Sequence, residues 1–547
     1  MARLSINSVE LEATPGATLF ECAERVGVQV PTSCRKQGKC KECLVEVTSG
    51  RELLTAPVAE EAHLRGNFRL ACRTKIASAF GYIQCYTMHR GHMRIERQAL
   101  QLPTSLRQLE LESCVVRDGN RILLDGVEVD HGMGPIHGMA MDLGTTTVVV
   151  RLFNLESGEL VADASFENPQ RFGGAEIMAR IQYDTDNPGQ LLMRTLAGYL
   201  SHVIEGFPID RHSIYELVVV GNSTMRDLFF RQNVYSIGQT PYQSITEIEM
   251  IEGKRGSTSL IQTGKRSLLP IHPEAKVWGA PIISGHVGAD AAACMLAVDL
   301  AHEEQLVAIM DIGTNTELIV GNRHRILAAS CPAGPAFEGG AISCGMPGLA
   351  GAIENVVIDG KGAYHFKVIG DVAPIGICGS GLVSLMSELI RTGQMNEFGR
   401  FQDATESITI DREHGIVFHE RDANELAQAK GANVAGLHTV CSNFGISFDD
   451  IDVFYLAGGF GRHLDIEASK RIGLIPNLPS SKVKQIGNGA IEGASIALLS
   501  RAKRAELEEL VKRVEHCRLE THPDFFDFFV EGCQFKPVEM LEGCRRG

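Results

Sequence analysis

The chain has 547 residues, 44% of them hydrophobic and 22% charged, with a formal net charge of −15 at pH 7. That length is enough for roughly three to four domains, and the composition excludes a fibrous or low-complexity chain. No apolar run reaches the roughly 18–20 residues that span a bilayer, and the opening MARLSINSVELEA lacks the apolar core of a secretory leader. The acidic balance argues against nucleic-acid binding, so a cytoplasmic protein is expected, with neither membrane nor nucleic acid as partner.

In chain order, the alternating LSINSVELEA (4–13) predicts a β-hairpin. TLFECAERVG (18–27) predicts a short helix, with Thr18 as cap and Glu21 three residues on as its capping-box partner. SCRKQGKCKEC (33–43) follows, with Cys34, Cys40 and Cys43 at C-x5-C-x2-C spacing, while Cys72 stands alone in RLACRTK. In a reducing compartment 15 cysteines do not read as a disulfide framework, and a cluster of them points to metal. Structural zinc is the alternative, but zinc takes its ligands in paired knuckles. Three thiols on one loop and a distant fourth are closer to the C-x4-C-x2-C…C run of 2Fe–2S centres.

Such a cluster needs two thiolates per iron and backbone N–H groups aimed at its sulfides, hence a tight loop. Gly38 suits that, and Arg35, Lys36, Lys39 and Lys41 offset the anionic thiolates. Cys22 lies on the apolar side of the short helix and reads as core, and CLVEVTSG leaves the loop as a strand. Residues 1–88 resemble the 2Fe–2S ferredoxins, with a first gap closest to the adrenodoxin-like branch. The resemblance implies a β-grasp domain whose Cys34, Cys40, Cys43 and Cys72 hold a 2Fe–2S cluster, a one-electron carrier.

Residues 1–99 hold 14 Lys and Arg against 10 Asp and Glu, a basic front on an acidic body. This is either an electrostatic guide toward an acidic surface or simply a solvated face. Residues 89–137 read as a linker and a small strand-rich piece, LESCVVRDGNRILLDGVEV.

MDLGTTTVVV (141–150) and MDIGTNTELIV (310–320) then repeat one pattern 169 residues apart, which suggests two halves of similar topology, about 138–305 and 306–547. An Asp at a strand end can hold a divalent cation through water, and Gly lets the backbone approach a polyphosphate. Thr and Asn then offer hydroxyls, amides and N–H groups to phosphate oxygens. The candidates are Asp142 with Gly144, Thr145, Thr146 and Thr147, and Asp311 with Gly313, Thr314, Asn315 and Thr316. The helix-capped GxxxxGK[ST] loop is absent.

VFYLAGGFGRHLD (453–465) runs an apolar strand into Gly458–Gly459 and then a helix. Paired glycines there let adenosine lie against the backbone; a tight strand–helix turn is the alternative. AAACMLAVDL (291–300) and GAIEGASIALLSRA (489–502) read as helices, the second small enough to let another approach closely. In this order the motifs resemble the superfamily of acetate and sugar kinases, heat-shock chaperones and actin. The fold class expected is α+β: a β-grasp 2Fe–2S ferredoxin domain followed by a duplicated α/β actin-like (ribonuclease H-like) ATPase, 138–547.

A ferredoxin ahead of that ATPase resembles the reductive activators of corrinoid proteins nearly end to end. ENPQRFGGAEIMARIQYD (167–184), VVVGNSTMRDLF (218–229), SGHVGADAAA (284–293), CPAGPAFEGGAI (331–342) and ICGSGL (377–382) carry the resemblance together with the motifs above. It implies an ATP-hydrolysing activase that returns an electron to an inactive Co(II) corrinoid protein and regenerates its Co(I) methyl acceptor. Asp142 and Asp311 would organise Mg²⁺ and the attacking water. The partners implied are a corrinoid protein, an upstream low-potential electron donor and a second copy of the chain. O-demethylation, methylamine use and acetyl-CoA synthesis stay open as the pathway served.

Some relatives carry 4Fe–4S clusters, but Cys517, Cys533 and Cys544 are too widely spaced for one. Other residues have plain readings beside functional ones. Asn222 reads as a helix cap, Glu317 as either metal-side or outward-facing, and Glu338 as part of a Gly-rich turn lining the cleft. His286 reads as a hydrogen-bonded loop histidine, Trp278 as core or interface, and FFDFFVEGC (525–533) as a closing helix or a docking patch. The rival functions are a small-molecule kinase fused to a ferredoxin, an activator of 2-hydroxyacyl-CoA dehydratase-type enzymes, and an ATP-binding redox sensor.

Overall fold

The computed structural model describes residues 2–88, 109–402, 405–459 and 461–540. Its described residues form two compact units, one of 2–88, 111–280 and 498–501, the other of 281–497 and 502–540. The capping roles and helix ends below all fall on those residues, whereas Cys544 lies outside them.

The first unit opens with β1 (Ala2–Ile6) and β2 (Val9–Ala13), an antiparallel hairpin turned by Asn7 and Ser8 at φ 50° and 67°. Positive φ at both central residues gives the turn the twist of its strands. With β3 (Leu44–Ser49), β4 (Phe68–Leu70) and β5 (Gly81–Thr87) it makes a five-stranded sheet, ordered β2-β1-β5-β3-β4. The helix Leu19–Arg25 lies against it. Thr18 Oγ1 accepts from Glu21 N–H and Glu21 returns the bond to Thr18 N–H, the complete capping box. Cys22 is buried on the sheet side, in the core.

β6 (Val115–Asp118), β7 (Arg121–Leu124) and β8 (Val127–His131) form a small meander. β9 (His137–Leu143), β10 (Thr147–Asn154), β11 (Leu160–Glu167), β12 (Ile214–Val220), β13 (Leu260–Thr263) and β14 (Lys276–Gly279) form a six-stranded sheet, ordered β11-β10-β9-β12-β14-β13. Trp278 is buried in it.

In the second unit β15 (Val307–Ile312), β16 (Thr316–Gly321) and β17 (Ile326–Cys331) are followed by two small sheets. These are β18 (Ala352–Ile358), β19 (Tyr364–Val368) and β20 (Gly376–Ile377), then β21 (Ser407–Asp411) and β22 (Ile416–His419). The main sheet is completed by β23 (Val453–Ala457), β24 (Val483–Gly487) and β25 (Val514–His516), ordered β24-β23-β15-β16-β17-β25.

The two six-stranded sheets share one plan. A three-strand antiparallel meander, β9–β10–β11 or β15–β16–β17, has two parallel strands added beside its first strand, β12 and β14 or β23 and β24. This is the duplicated actin-like fold. Central strands buried on both faces read as near-continuous apolar runs, as ELVVV and VFYLA do. In the second unit the helices Ala289–Ala297 and Gly489–Leu499 touch backbone to backbone: a Cβ on Gly493 would lie 2.0 Å from Ala293 O. Among the described residues no helix is long and apolar enough to cross a membrane.

Candidate functional site

The four candidate thiols of the first sheet gather in two pairs. Cys43 Sγ and Cys72 Sγ are 3.3 Å apart, and the Cys34 and Cys40 thiols share a hydrogen bond. The loop reaches this shape through left-handed backbone at Arg35, Lys36, Gly38 and Lys41. That turning brings N–H groups onto sulfur. Cys34 accepts from Cys40, Lys39 and Gln37, and Cys72 from Gly38. Burial works against ionising Cys34, but those amides outweigh it and bring its thiol down to about 7. Cys43, sharing its proton with Cys72 and deeply buried, is raised, while Cys72 is lowered by the same bond.

The strand leading to Cys72 is held by a buried ion pair. Glu61 accepts from Arg69 Nε at 2.9 Å, from Leu70 N–H at 2.8 Å and from Thr74 Oγ1 at 3.1 Å. Two thiol pairs on an amide-lined loop fit a 2Fe–2S cluster, two thiolates to each iron.

In each hairpin of the duplicated sheets the aspartate is the last residue but one of the first strand. Asp142 pairs with Val149 on β10 and Val220 on β12, and Asp311 pairs with Glu317 on β16 and Ala457 on β23. Beyond the parallel strand stands a glycine in each copy. A Cβ on Gly221 (φ +150°) would lie 2.6 Å from Leu143 O, and one on Gly458 (φ +108°) 2.3 Å from Ile312 O. Both chains therefore close on the hairpin as only glycine allows.

The tip of the first hairpin is gripped from behind. Asn168 donates from its amide to Gly144 O at 2.8 Å and from its backbone to Thr146 O at 2.7 Å. The fully buried Arg180 donates to Thr145 O at 2.6 Å and to Gly174 O at 2.9 Å. Its burial, with Arg171 nearby, pushes its pKa down to about 9. Asn222 caps the helix Ser223–Phe229 by accepting from Met225 N–H, and its Nδ2 donates to Thr145 Oγ1 at 2.9 Å.

The second hairpin sits among carboxylates. Burial raises Asp311 to about 6 although Cys294 Sγ donates to its Oδ2 at 3.3 Å. Glu317 is buried, which corrects the outward-facing reading; burial first, then Asp290 and Asp311, hold its pKa well up. Thr314 Oγ1 donates to Glu338 Oε2 at 2.7 Å, and the Thr316 hydroxyl is fully buried. The negative charges of Asp290 and Asp311 bear on Glu317, a repulsion that a divalent cation held through water would relieve.

Comparison with known proteins is decisive on ancestry. A model of the RACo middle region matches residues 137–303 and a model of the C-terminal ASKHA domain of RACo matches 305–542, behind a 2Fe–2S iron–sulfur cluster binding domain at 4–77. The chain belongs to the RACo family. The corrinoid activation enzyme RamQ of Eubacterium limosum is 28% identical over 597 aligned positions, which take in 97% of this chain and 98% of that one. A [Co(II) methylated amine-specific corrinoid protein] reductase of Methanosarcina barkeri is 25% identical over 436, covering 72% and 76%. The solved reductive activator for corrinoid, iron-sulfur protein superposes with a TM-score of 0.72, covering 99% of this chain and 100% of that one at 24% identity, and so shares the fold.

Within this RACo-family chain the first unit unites the four cysteines among themselves, and Asp142, Gly144, Thr145, Thr146 and Thr147 on one hairpin. The second unites Asp311, Gly313, Thr314, Asn315 and Thr316 with Gly458. Gly459 is exposed, and a Cβ added to it would meet nothing within 4 Å. Asn168, Arg180, Gly221 and Cys294 were not among the expected site residues. Asn168 and Arg180 lie in ENPQRFGGAEIMARIQYD, a stretch that carries the resemblance, but only Gly221 shows a local pattern of its own, a glycine closing an apolar strand as Gly458 does.

Proposed function

We propose that this chain is an ATP-dependent reductive activator of a Co(II) corrinoid protein, acting in the cytoplasm and supplied by a low-potential electron donor. The observation that carries the reading is the joining, in one chain, of a thiol cradle fit for a 2Fe–2S cluster to a duplicated hairpin fold. That arrangement is matched over nearly its whole length by a corrinoid activation enzyme. The cluster, when bound, supplies single electrons. Cys34, Cys40, Cys43 and Cys72 would hold it, and the amides of Gln37, Gly38, Lys39 and Cys40 would stabilise its negative charge.

Asp142 and Asp311 would hold Mg²⁺ through water. The hairpin residues 144–147 and 313–316 would bind phosphate and the Gly458–Gly459 turn adenosine. Asn168, Arg180 and Asn222 occupy the carbonyls of Gly144, Thr145 and Thr146 and the Thr145 hydroxyl, and so would hold the first hairpin in one shape for the nucleotide. Nucleotide is needed because plant-type 2Fe–2S centres lie near −400 mV, and every 59 mV of shortfall holds back a one-electron transfer tenfold. Taking a two-state equilibrium from 1:99 to 99:1 requires about 5.5 kcal/mol of differential binding, so ATP must bind one protein conformation far better than the other.

The test is anaerobic reduction of a Co(II) corrinoid methyl-carrier, followed by its cobalt spectrum, with reconstituted chain, reductant and MgATP. Co(I) formation that depends on both ATP and the chain is expected. Equal reduction without nucleotide, or a phosphorylated small molecule as the product of ATP turnover, would sink the reading.

A further inference from the structure

The cluster loop and the first phosphate hairpin, far apart in sequence, are joined through one short segment of the first unit. At one end of it, Asn168 holds the hairpin carbonyls of Gly144 and Thr146. Its 3-10 turn, Pro169–Gly173, then meets the ferredoxin. Phe172 O accepts from Arg65 N–H at 3.3 Å, and the Phe172 ring stands edge-on to His63 at 5.7 Å. Against the same turn packs the helix Leu191–Glu205, with Leu192 so close to Gly173 that a Cβ there would lie 2.7 Å from it.

Two turns further on, that helix meets Glu42, which with Lys41 separates the cluster cysteines Cys40 and Cys43. Tyr199 OH donates to Glu42 O at 2.7 Å, and His202 Nε2 lies 3.1 Å from Glu42 Oε2. Ser33 Oγ holds the other carboxylate oxygen at 2.6 Å. Gly198 makes room, since a Cβ on it would be 2.8 Å from Glu42 Cγ. Glu42 and Tyr199 are buried, so these contacts are not a solvated surface encounter.

We propose that Tyr199 and His202 are positioning residues for the iron–sulfur centre, holding the Cys40–Cys43 stretch through Glu42 to the half that carries the first phosphate hairpin, so that nucleotide binding and cluster redox state exchange free energy. The inference rests on the cluster and nucleotide sites assigned above. Hydrogen bonding and solvent access at the sulfurs set such a centre's potential. A shift of Asn168 with the hairpin moves the Pro169–Gly173 turn, and with it the helix that grips the cluster loop. Coupling of this kind is reciprocal: whatever factor nucleotide imposes on reduction, reduction imposes on nucleotide affinity.

The test uses the full-length chain with its cluster reconstituted and no corrinoid protein, so it succeeds or fails independently of cobalt reduction. MgADP and a non-hydrolysable MgATP analogue are titrated calorimetrically against oxidised and dithionite-reduced chain. The cluster potential is measured by redox titration with and without each nucleotide, and iron is assayed on every sample. One of the nucleotides is expected to bind about tenfold differently to the two redox states, a potential shift of ~59 mV. Tyr199→Phe and His202→Ala, with iron retained, should reduce the difference to within about twofold, and His202→Gln, which keeps a donor for Glu42, should restore it. Equal affinities in the unaltered chain, or an undiminished shift in Tyr199→Phe, overturns the proposal.

Discussion

Gly458 stands beside Asp311 only because it has no side chain: a Cβ would lie 3.2 Å from Asp311 Oδ1 and 2.3 Å from Ile312 O, at a φ of +108°. Gly458→Ala must therefore push β23 away from β15 or twist the Asp311 carboxylate, on top of about 1–3 kcal/mol of backbone strain. A lowered melting temperature and a loss of nucleotide affinity of at least about tenfold are expected. Gly459→Ala meets nothing within 4 Å and should melt like the parent. A loss of nucleotide binding in that variant would report adenosine contact alone. Thermal melts and calorimetric titration of both variants separate the two glycines.

The 3.3 Å between Cys43 and Cys72 makes an equally sharp prediction. Cys72→Ser should lose most iron or shift the cluster's visible absorption. Cys22→Ser, buried away from the loop, should keep about two irons per chain while losing some stability through a polar group placed in the core. Iron assay and absorption after identical reconstitution decide it, and full iron with an unchanged spectrum in Cys72→Ser would remove that thiol from the ligand set.

Arg180 is a charge buried without a carboxylate partner within its hydrogen bonds; its donors go to Thr145 O, Gly174 O and Met225 Sδ. Arg180→Met leaves two buried carbonyls short of a donor, about 1–3 kcal/mol each before relaxation. It also frees the hairpin tip to reorient. Nucleotide affinity should fall while the cluster spectrum is unchanged. Arg180→Lys should recover stability only in part, because an ammonium cannot span the guanidinium's forked contacts.

The cysteine loop, the capping box and the twin aspartate hairpins were legible because each is a local pattern: fixed spacing, a three-residue reciprocal bond, a strand ending in Asp-x-Gly-Thr. Asn168 and Arg180 were not. Their partners lie 24 and 35 residues away, and a lone Asn or Arg carries no signature. Glu317 stayed open between metal-side and outward-facing for a different reason. Strand alternation separates two faces only when one is wet, and β16 is buried on both. The bond from His202 to Glu42 spans 160 residues and belongs to the packing of one module on another, which periodicity cannot report.

That last pair also sets a pH dependence. Hydrogen bonding to Glu42 raises the His202 pKa; burial works against ionising Glu42, but its bonds to His202 and Ser33 leave it lowered. Glu205 adds a second, weaker attraction at 3.9 Å from His202 Nδ1. A histidine whose folded pKa is raised stabilises fully below its unfolded value of about 6.5 and loses that contribution as pH climbs through the raised value. Glu42, being lowered, contributes above its own unfolded value and loses its share only in acid. Parent chain and His202→Gln should therefore differ most in melting temperature near pH 6 and converge toward pH 8. Protection of the Leu191–Glu205 amides, once exchange is corrected for its intrinsic rise with pH, should fall over the same interval in the parent alone. A gap that stays constant from pH 6 to 8 would mean that the imidazole acts here by shape and not by charge.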